Sequence, residues 1–295
     1  MTLSGLKPSI ARILWKEICL NRSLQCALGI LLLLSVCALA APMLSSHDPL
    51  ALNLETGRFV PPFFAEGGSL EHLFGTDGSG RDVFARVLHG GRISLLLGFL
   101  PVLIGAGFGV PMGLVSGYLG GRVDQLLMRI NDCLLAFPSI LLALILVAFL
   151  GQGIVNLMIA VGLAYAPTFA RVARTSALGE SNKEYVVGAV AHGASLQRIL
   201  YKHLFPNILN SIVVVATMSF ASALLESAGL SFLGLGVRPP TPEWGAMLAE
   251  GKADFYQAWW TLVFPGAAIF LTVLSLNLLG DALRDAMDPR SDRSR

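Results

Sequence analysis

Six runs of about 20 mostly apolar residues interrupt an otherwise polar chain, at 24–44, 93–115, 126–150, 154–173, 208–230 and 259–279. A helix of that length crosses the hydrocarbon layer of a bilayer with its backbone hydrogen bonds satisfied internally. The pattern therefore predicts an all-α integral membrane protein with six transmembrane helices. Only Gly151-Gln152-Gly153 separates the third run from the fourth, which calls for a tight turn. Pro101 and Pro111 are expected to bend the second helix and Pro138 the third. The longest polar interruption, 174–207, carries two short helix patterns around Gly193-Ala194-Ser195 and ends where Pro206 opens the fifth run. It is too long for a tight connector and too regular for a linker.

The first run follows a basic leader (Lys7, Arg12, Lys16, Arg22) and contains Ala38-Leu39-Ala40, so a cleaved signal peptide competes with an anchor. Its apolar stretch exceeds the roughly 7–15 residues of a signal core, and the sequence is read as an uncleaved span. Placing the N-terminus inside puts fifteen of the 21 Lys and Arg on inner segments. The other six, Arg58, Arg81, Arg86, Arg92, Arg238 and Lys252, fall outside. The positive-inside rule then makes both termini and the 174–207 loop cytoplasmic. This divides the chain into a leader (1–23), a first span (24–44), a periplasmic segment (45–92), a core (93–280) and a cytoplasmic tail (281–295). The tail is expected to be disordered beyond Asp288. In the periplasmic segment, 82–97 has helical spacing, with Asp77 or Ser79 as candidate caps.

Composition agrees: 54% of residues are hydrophobic and 14% charged, against about 25% charged in soluble domains. A net charge of +2 gives no basis for nucleic-acid binding. Cys19, Cys26, Cys37 and Cys133 lack C-x-x-C spacing and are read as packing thiols. His47, His72, His89, His192 and His203 are scattered over both faces, which argues against one metal cluster, and no catalytic set or cofactor site emerges. Gly251-Lys252 has neither the following Ser/Thr nor the earlier glycine of a phosphate loop. Any nucleotide hydrolysis must therefore come from a partner.

Glu226 is the carboxylate inside a span, near the outer end of the fifth. It must face protein or water, as a translocation-path or gate residue or as a packing hydrogen bond. Asp132 is expected to pair with Arg129 at i−3. Gly105, Gly109, Gly113 and Gly117 form a ridge on one face of the second span. Close packing against another helix of the same chain is favoured over a subunit interface. In the cytoplasmic loop, 184–191 carries small residues (Gly188, Ala189, Ala191) that would let a helix seat deeply in a groove. Gly193 supplies a reversal, Ser195 a cap, and Leu196, Ile199, Leu200 and Leu204 an apolar stripe. Such a hairpin either transmits motion from a partner or lies on the lipid surface.

EYVVGAVAHGAS (184–195) with ILYKHLFPN (199–207) resembles the EAA loop of permeases of ATP-binding-cassette importers. FGTDGSGRDVFARVLHGGRISL (74–95), MRINDCLLAFPSILLAL (128–144), ESAGLSFLGLGVRPPTPEWGAML (226–248) and GDALRDAMDPR (280–290) are similar to the second permease of the dipeptide/oligopeptide/nickel importer family. The resemblance implies a type I importer fold with a five-helix core and one additional N-terminal helix, in a bacterial inner membrane. It implies a homologous second permease, two cytoplasmic ATPase subunits and a periplasmic or lipid-anchored solute-binding protein as partners. It places ATPase coupling on Glu184, Val187, Gly188, Ala189, Gly193, Ala194, Ser195 and Pro206. The motif's opening Glu-Ala-Ala aligns with Val187-Gly188-Ala189, so its acid is missing, with Glu184 one turn earlier. His203 and Phe205 replace the usual Ile and Leu. A stand-alone secondary transporter and a membrane enzyme or scaffold are the alternatives.

Overall fold

A computed structural model describes residues 21–52 and 57–287, whose regular structure is helical. Residues 1–20, with Lys7, Arg12, Lys16 and Cys19, and the tail from Asp288 onwards lie outside the described residues. Asn21 starts α1 (Arg22–Leu39) by accepting hydrogen bonds from the N–H groups of Ser23 and Leu24. At the other end, Arg92 donates to the carbonyls of Ala38 and Leu39 and satisfies acceptors the helix leaves open. A short α2 (Ala41–Leu44) follows. The helix foreseen from residue 82 fuses with the second span into one 37-residue α3 (Val83–Leu119). Its cap is neither Asp77 nor Ser79. Asp82 accepts from the N–H of Ala85 at 2.6 Å, while Asp77 turns its carboxylate to the N–H groups of Ser79 and Arg81.

The third run is not one helix. It divides into α4 (Gly121–Leu135) and α5 (Ser139–Leu150), bent by 91° at Ala136-Phe137-Pro138. Pro138 cannot donate into a helix and disfavours helical geometry at Phe137. Neither piece spans a bilayer alone, because 12 residues rise only about 18 Å. The two together return the chain across the membrane, as the packing of α3 against α6 (Ile154–Ser181) shows. A Cβ on Gly105, Gly109, Gly113 or Gly117 would lie under 3.0 Å from the carbonyl oxygen of Gly162, Ala166, Ala170 or Arg174 respectively. Both series ascend together, so α3 and α6 run parallel and the segment between them must cross.

The glycine ridge is thus an intrachain seam, as its spacing suggests. Lipid gives helices no hydrophobic reason to associate, so close backbone approach supplies the contact. Gly113→Ala should force the Ala170 carbonyl away and cost about 1–3 kcal/mol, read as a lower melting temperature in detergent. Gly107→Ala on the same helix meets nothing within 4 Å and should leave the melting temperature unchanged or higher.

The chain continues through α7 (Glu184–Ala191), α8 (Leu196–Arg198), a widened turn at Ile199–Leu204, α9 (Phe205–Phe232), α10 (Trp244–Gly251) and α11 (Trp260–Met287). Part of the expected tail is therefore helix. Cys26 and Cys133 are exposed and Cys37 half-exposed. They lie on outward helix faces rather than in the packing, because an apolar run in lipid need not turn every apolar side chain inwards. Outside the bundle, Trp260 Nε1 donates to the Thr76 carbonyl at 2.9 Å and Phe74 stacks on Phe264 at 3.8 Å. These contacts fold residues 57–82 onto the start of α11.

Candidate functional site

The 174–207 segment is almost wholly ordered. α6 overruns its apolar part to Ser181, and Lys183 and Tyr185 both reach the Glu180 carboxylate. α7 is anchored by one buried side chain, Val186. Val187 and Val190 are 57% and 49% exposed, and Glu184 is exposed beside them. Gly188 has open space where a Cβ would be.

The reversal at Gly193 is complete in its hydrogen bonds. Gly193 has φ of +74°, its N–H donates to Val190, and the N–H of Ala194 donates to Ala189 at 3.0 Å. This crossed pair is the glycine-terminated helix end that satisfies the last carbonyls. Ser195 then caps α8 through the N–H of Arg198. Of the expected stripe, Ile199, Leu200 and Leu204 are buried, while Leu196 stays exposed. The widened turn lies just before Pro206, which has no N–H to donate into it. The hairpin therefore follows directly on α6 and leads, through α8 and the widened turn, into α9.

Two ion pairs fix its root. Arg174 grips both oxygens of Asp124, which also accepts from Ser116, so α3, α4 and α6 meet there. Asp132 pairs with Arg171 at 2.6 Å and not with Arg129, because the oblique α4 turns that carboxylate towards α6. Long-range pairs of this kind leave no spacing signal.

Glu226 accepts from Ser139 Oγ at 2.6 Å, and the Tyr165 hydroxyl reaches the same carboxylate. Its Oε2 is buried with no hydrogen-bond partner. Ser139 opens α5 just after the break, so the carboxylate joins α9 to the bent span and to α6. This geometry suits a group that can exchange partners if the bent span moves. The partner could not be read from the sequence, since it lies 87 positions away.

At the end of the bundle opposite the 174–207 segment, sequence reading missed a buried charge cluster. Arg81 bonds Asp77 Oδ2 and Glu250 Oε2, both at 2.7 Å, and Arg86 bonds Glu250 Oε2 at 2.8 Å and the Pro240 carbonyl. The cluster walls an open cavity of about 570 Å³. Nearby, Glu243 caps α10 by accepting from Gly245 and Ala246. Burial pushes its carboxyl above the usual range, against the pull of those bonds. Nor are the histidines fully dispersed: folding brings the rings of His47 and His72 to 5.0 Å.

Residues 109–293 match the family model of the binding-protein-dependent transport system inner membrane component. The chain is 41% identical over 283 residues to the di/tripeptide transport system permease protein DppC of Pseudomonas aeruginosa (strain UCBPP-PA14), covering 96% of this chain and 93% of that one. It is 48% identical over 243 residues to the glutathione transport system permease protein GsiD of Escherichia coli O6:K15:H31, covering 79% and 80%. Its fold is similar to a chain of the inward-facing MetNI methionine ABC transporter. The TM-score there is 0.56 at 19% identity, covering 69% of this chain and 97% of that chain.

Proposed function

The chain belongs to the family of binding-protein-dependent transport system inner membrane components, and on that premise we propose that it carries short peptides inwards with a specific set of partners. As a permease subunit of an ABC importer it is not itself the ATPase. The partners in this reading are a homologous second permease, two cytoplasmic ATPase subunits and a periplasmic or lipid-anchored solute-binding protein. Both termini are cytoplasmic. The peptide substrate is supported by relatives described as di/tripeptide and glutathione permeases. Nickel or another small chelate is the second reading that the family resemblance leaves open.

One observation carries the coupling role, the exposed valine and glycine face of α7. Gly188 costs the helix roughly 1 kcal/mol relative to Ala, yet neither its backbone angle nor a neighbour in this chain requires glycine. A groove on an ATPase that receives this face accounts for both the glycine and the exposed Val187 and Val190. Glu184, Ala189, Ala194, Ser195 and Pro206 hold the hairpin or border that face. Because the hairpin joins α6 to α9 through short connections with its turn hydrogen bonds made, displacement of α7 is passed to both spans. α9 carries Glu226, assigned here to the translocation path or its gate.

Purification from the native membrane tests this reading. A second permease and phosphate-loop ATPases should be recovered in stoichiometric amounts, with hydrolysis stimulated by peptide-loaded binding protein. Ion-coupled uptake by the isolated chain in ATP-free vesicles would refute it.

A further inference from the structure

We propose that the outer face of this protein holds a divalent transition-metal ion, with zinc as the best fit, between His47, His72 and Glu71. One ligand atom from each of the three lies within 4.8 Å of the others. His72 is 3% exposed. Its Nδ1 faces Asp82 Oδ2 at 2.9 Å, while its Nε2 is buried with no hydrogen-bond partner. A buried ring nitrogen left bare is uncommon, because most such groups are paired.

The Asp82 contact explains what the bare nitrogen is suited to do. A carboxylate beside Nδ1 holds the proton there and leaves the Nε2 lone pair free, the usual outer-shell arrangement of a metal-binding histidine. A cavity of about 40 Å³ is lined by His47, His72 and Asp82, with Glu71 beside these ligands but outside its wall. It has room for an ion.

Two imidazoles and one carboxylate form a three-ligand set that zinc completes with water in a tetrahedral site. Zinc–nitrogen bonds of about 2.0–2.1 Å require ligand atoms about 3.4 Å apart. The three must therefore close in slightly. His47 is half-buried and Glu71 exposed, so both have room to turn, while His72 stays fixed by Asp82. Asp82 is also the cap of α3. The ion would therefore tie the segment after α2 to the start of the longest helix of the bundle.

The test uses the full chain, with whatever subunits accompany it, purified without a polyhistidine tag and stripped with chelator. Zinc is then titrated and bound metal counted by mass spectrometry, for wild type, His47→Ala and Glu71→Gln. Wild type should bind one additional zinc per copy of this chain. His47→Ala should weaken that site at least tenfold with no loss of yield or melting temperature in chelator. Cobalt in place of zinc should give the visible absorption of a tetrahedral site in wild type only. Absence of that zinc, or retention of full affinity by both variants, would overturn the proposal. Because the readout is bound metal, the outcome is independent of the transported substrate.

Discussion

Gly193→Pro is expected to abolish peptide-stimulated ATP hydrolysis by the assembled transporter while the chain still inserts at wild-type levels. Gly193 sits at φ +74°, and a proline ring locks φ near −65°. The substitution also removes the N–H that donates to Val190, and the neighbouring Ala194–Ala189 bond depends on the same backbone path. With both bonds gone, the end of α7 loses its geometry and the helix loses its fixed angle to α8. Membrane insertion has no stake in this, since Gly193 lies outside the apolar runs and a side chain there would meet nothing within 4 Å. Gly193→Asn is the informative control. Asparagine enters the left-handed region at modest cost, so most coupling should survive. ATPase stimulation by loaded binding protein, measured in nanodiscs, checks both. Wild-type stimulation in the proline variant would remove the hairpin from the coupling path.

Glu250→Leu is expected to destabilise the protein by about 1–3 kcal/mol, because it takes from a buried guanidinium its nearer counter-charge and a hydrogen bond. Arg86 is 1% exposed, and with Glu250 gone its remaining contacts are Asp77 at 3.7 Å and a single carbonyl. Arg81 also loses one of its two carboxylate partners, leaving Asp77 to balance both guanidinium groups. The double variant Arg86→Met/Glu250→Leu should recover much of the loss, since removing both members of a buried pair is far less costly than removing one. Melting in detergent across the two single variants and the double gives the coupling directly. Equal stability of Glu250→Leu and wild type would show the cluster to be open to water.

The hairpin was the most legible part of the site. Its turn depends on Gly193, Ala194 and Ser195, which are adjacent in sequence and whose backbone needs are local. The same holds for the glycine ridge, whose four-residue spacing exposes a close-packing face, though not the parallel α6 that fills it. Contacts that close over long stretches of chain were not legible. Glu226 with Ser139, Asp132 with Arg171 and Arg86 with Glu250 depend on how helices cross. His47 and His72 looked dispersed because they are 25 positions apart in the sequence.

By itself the sequence determined that the chain spans a membrane, which long polar loop is basic, and where that loop reverses. Each follows from hydropathy, charge or a backbone angle acting within a few residues. The bend of the third run at Pro138 was also legible, as a local property of proline. Tertiary structure alone decided that α3 and α6 run parallel and which partners the buried charges find. Those outcomes are set by backbone approach and by the high cost of an unpaired charge in a dry interior, and both act between segments far apart in the chain.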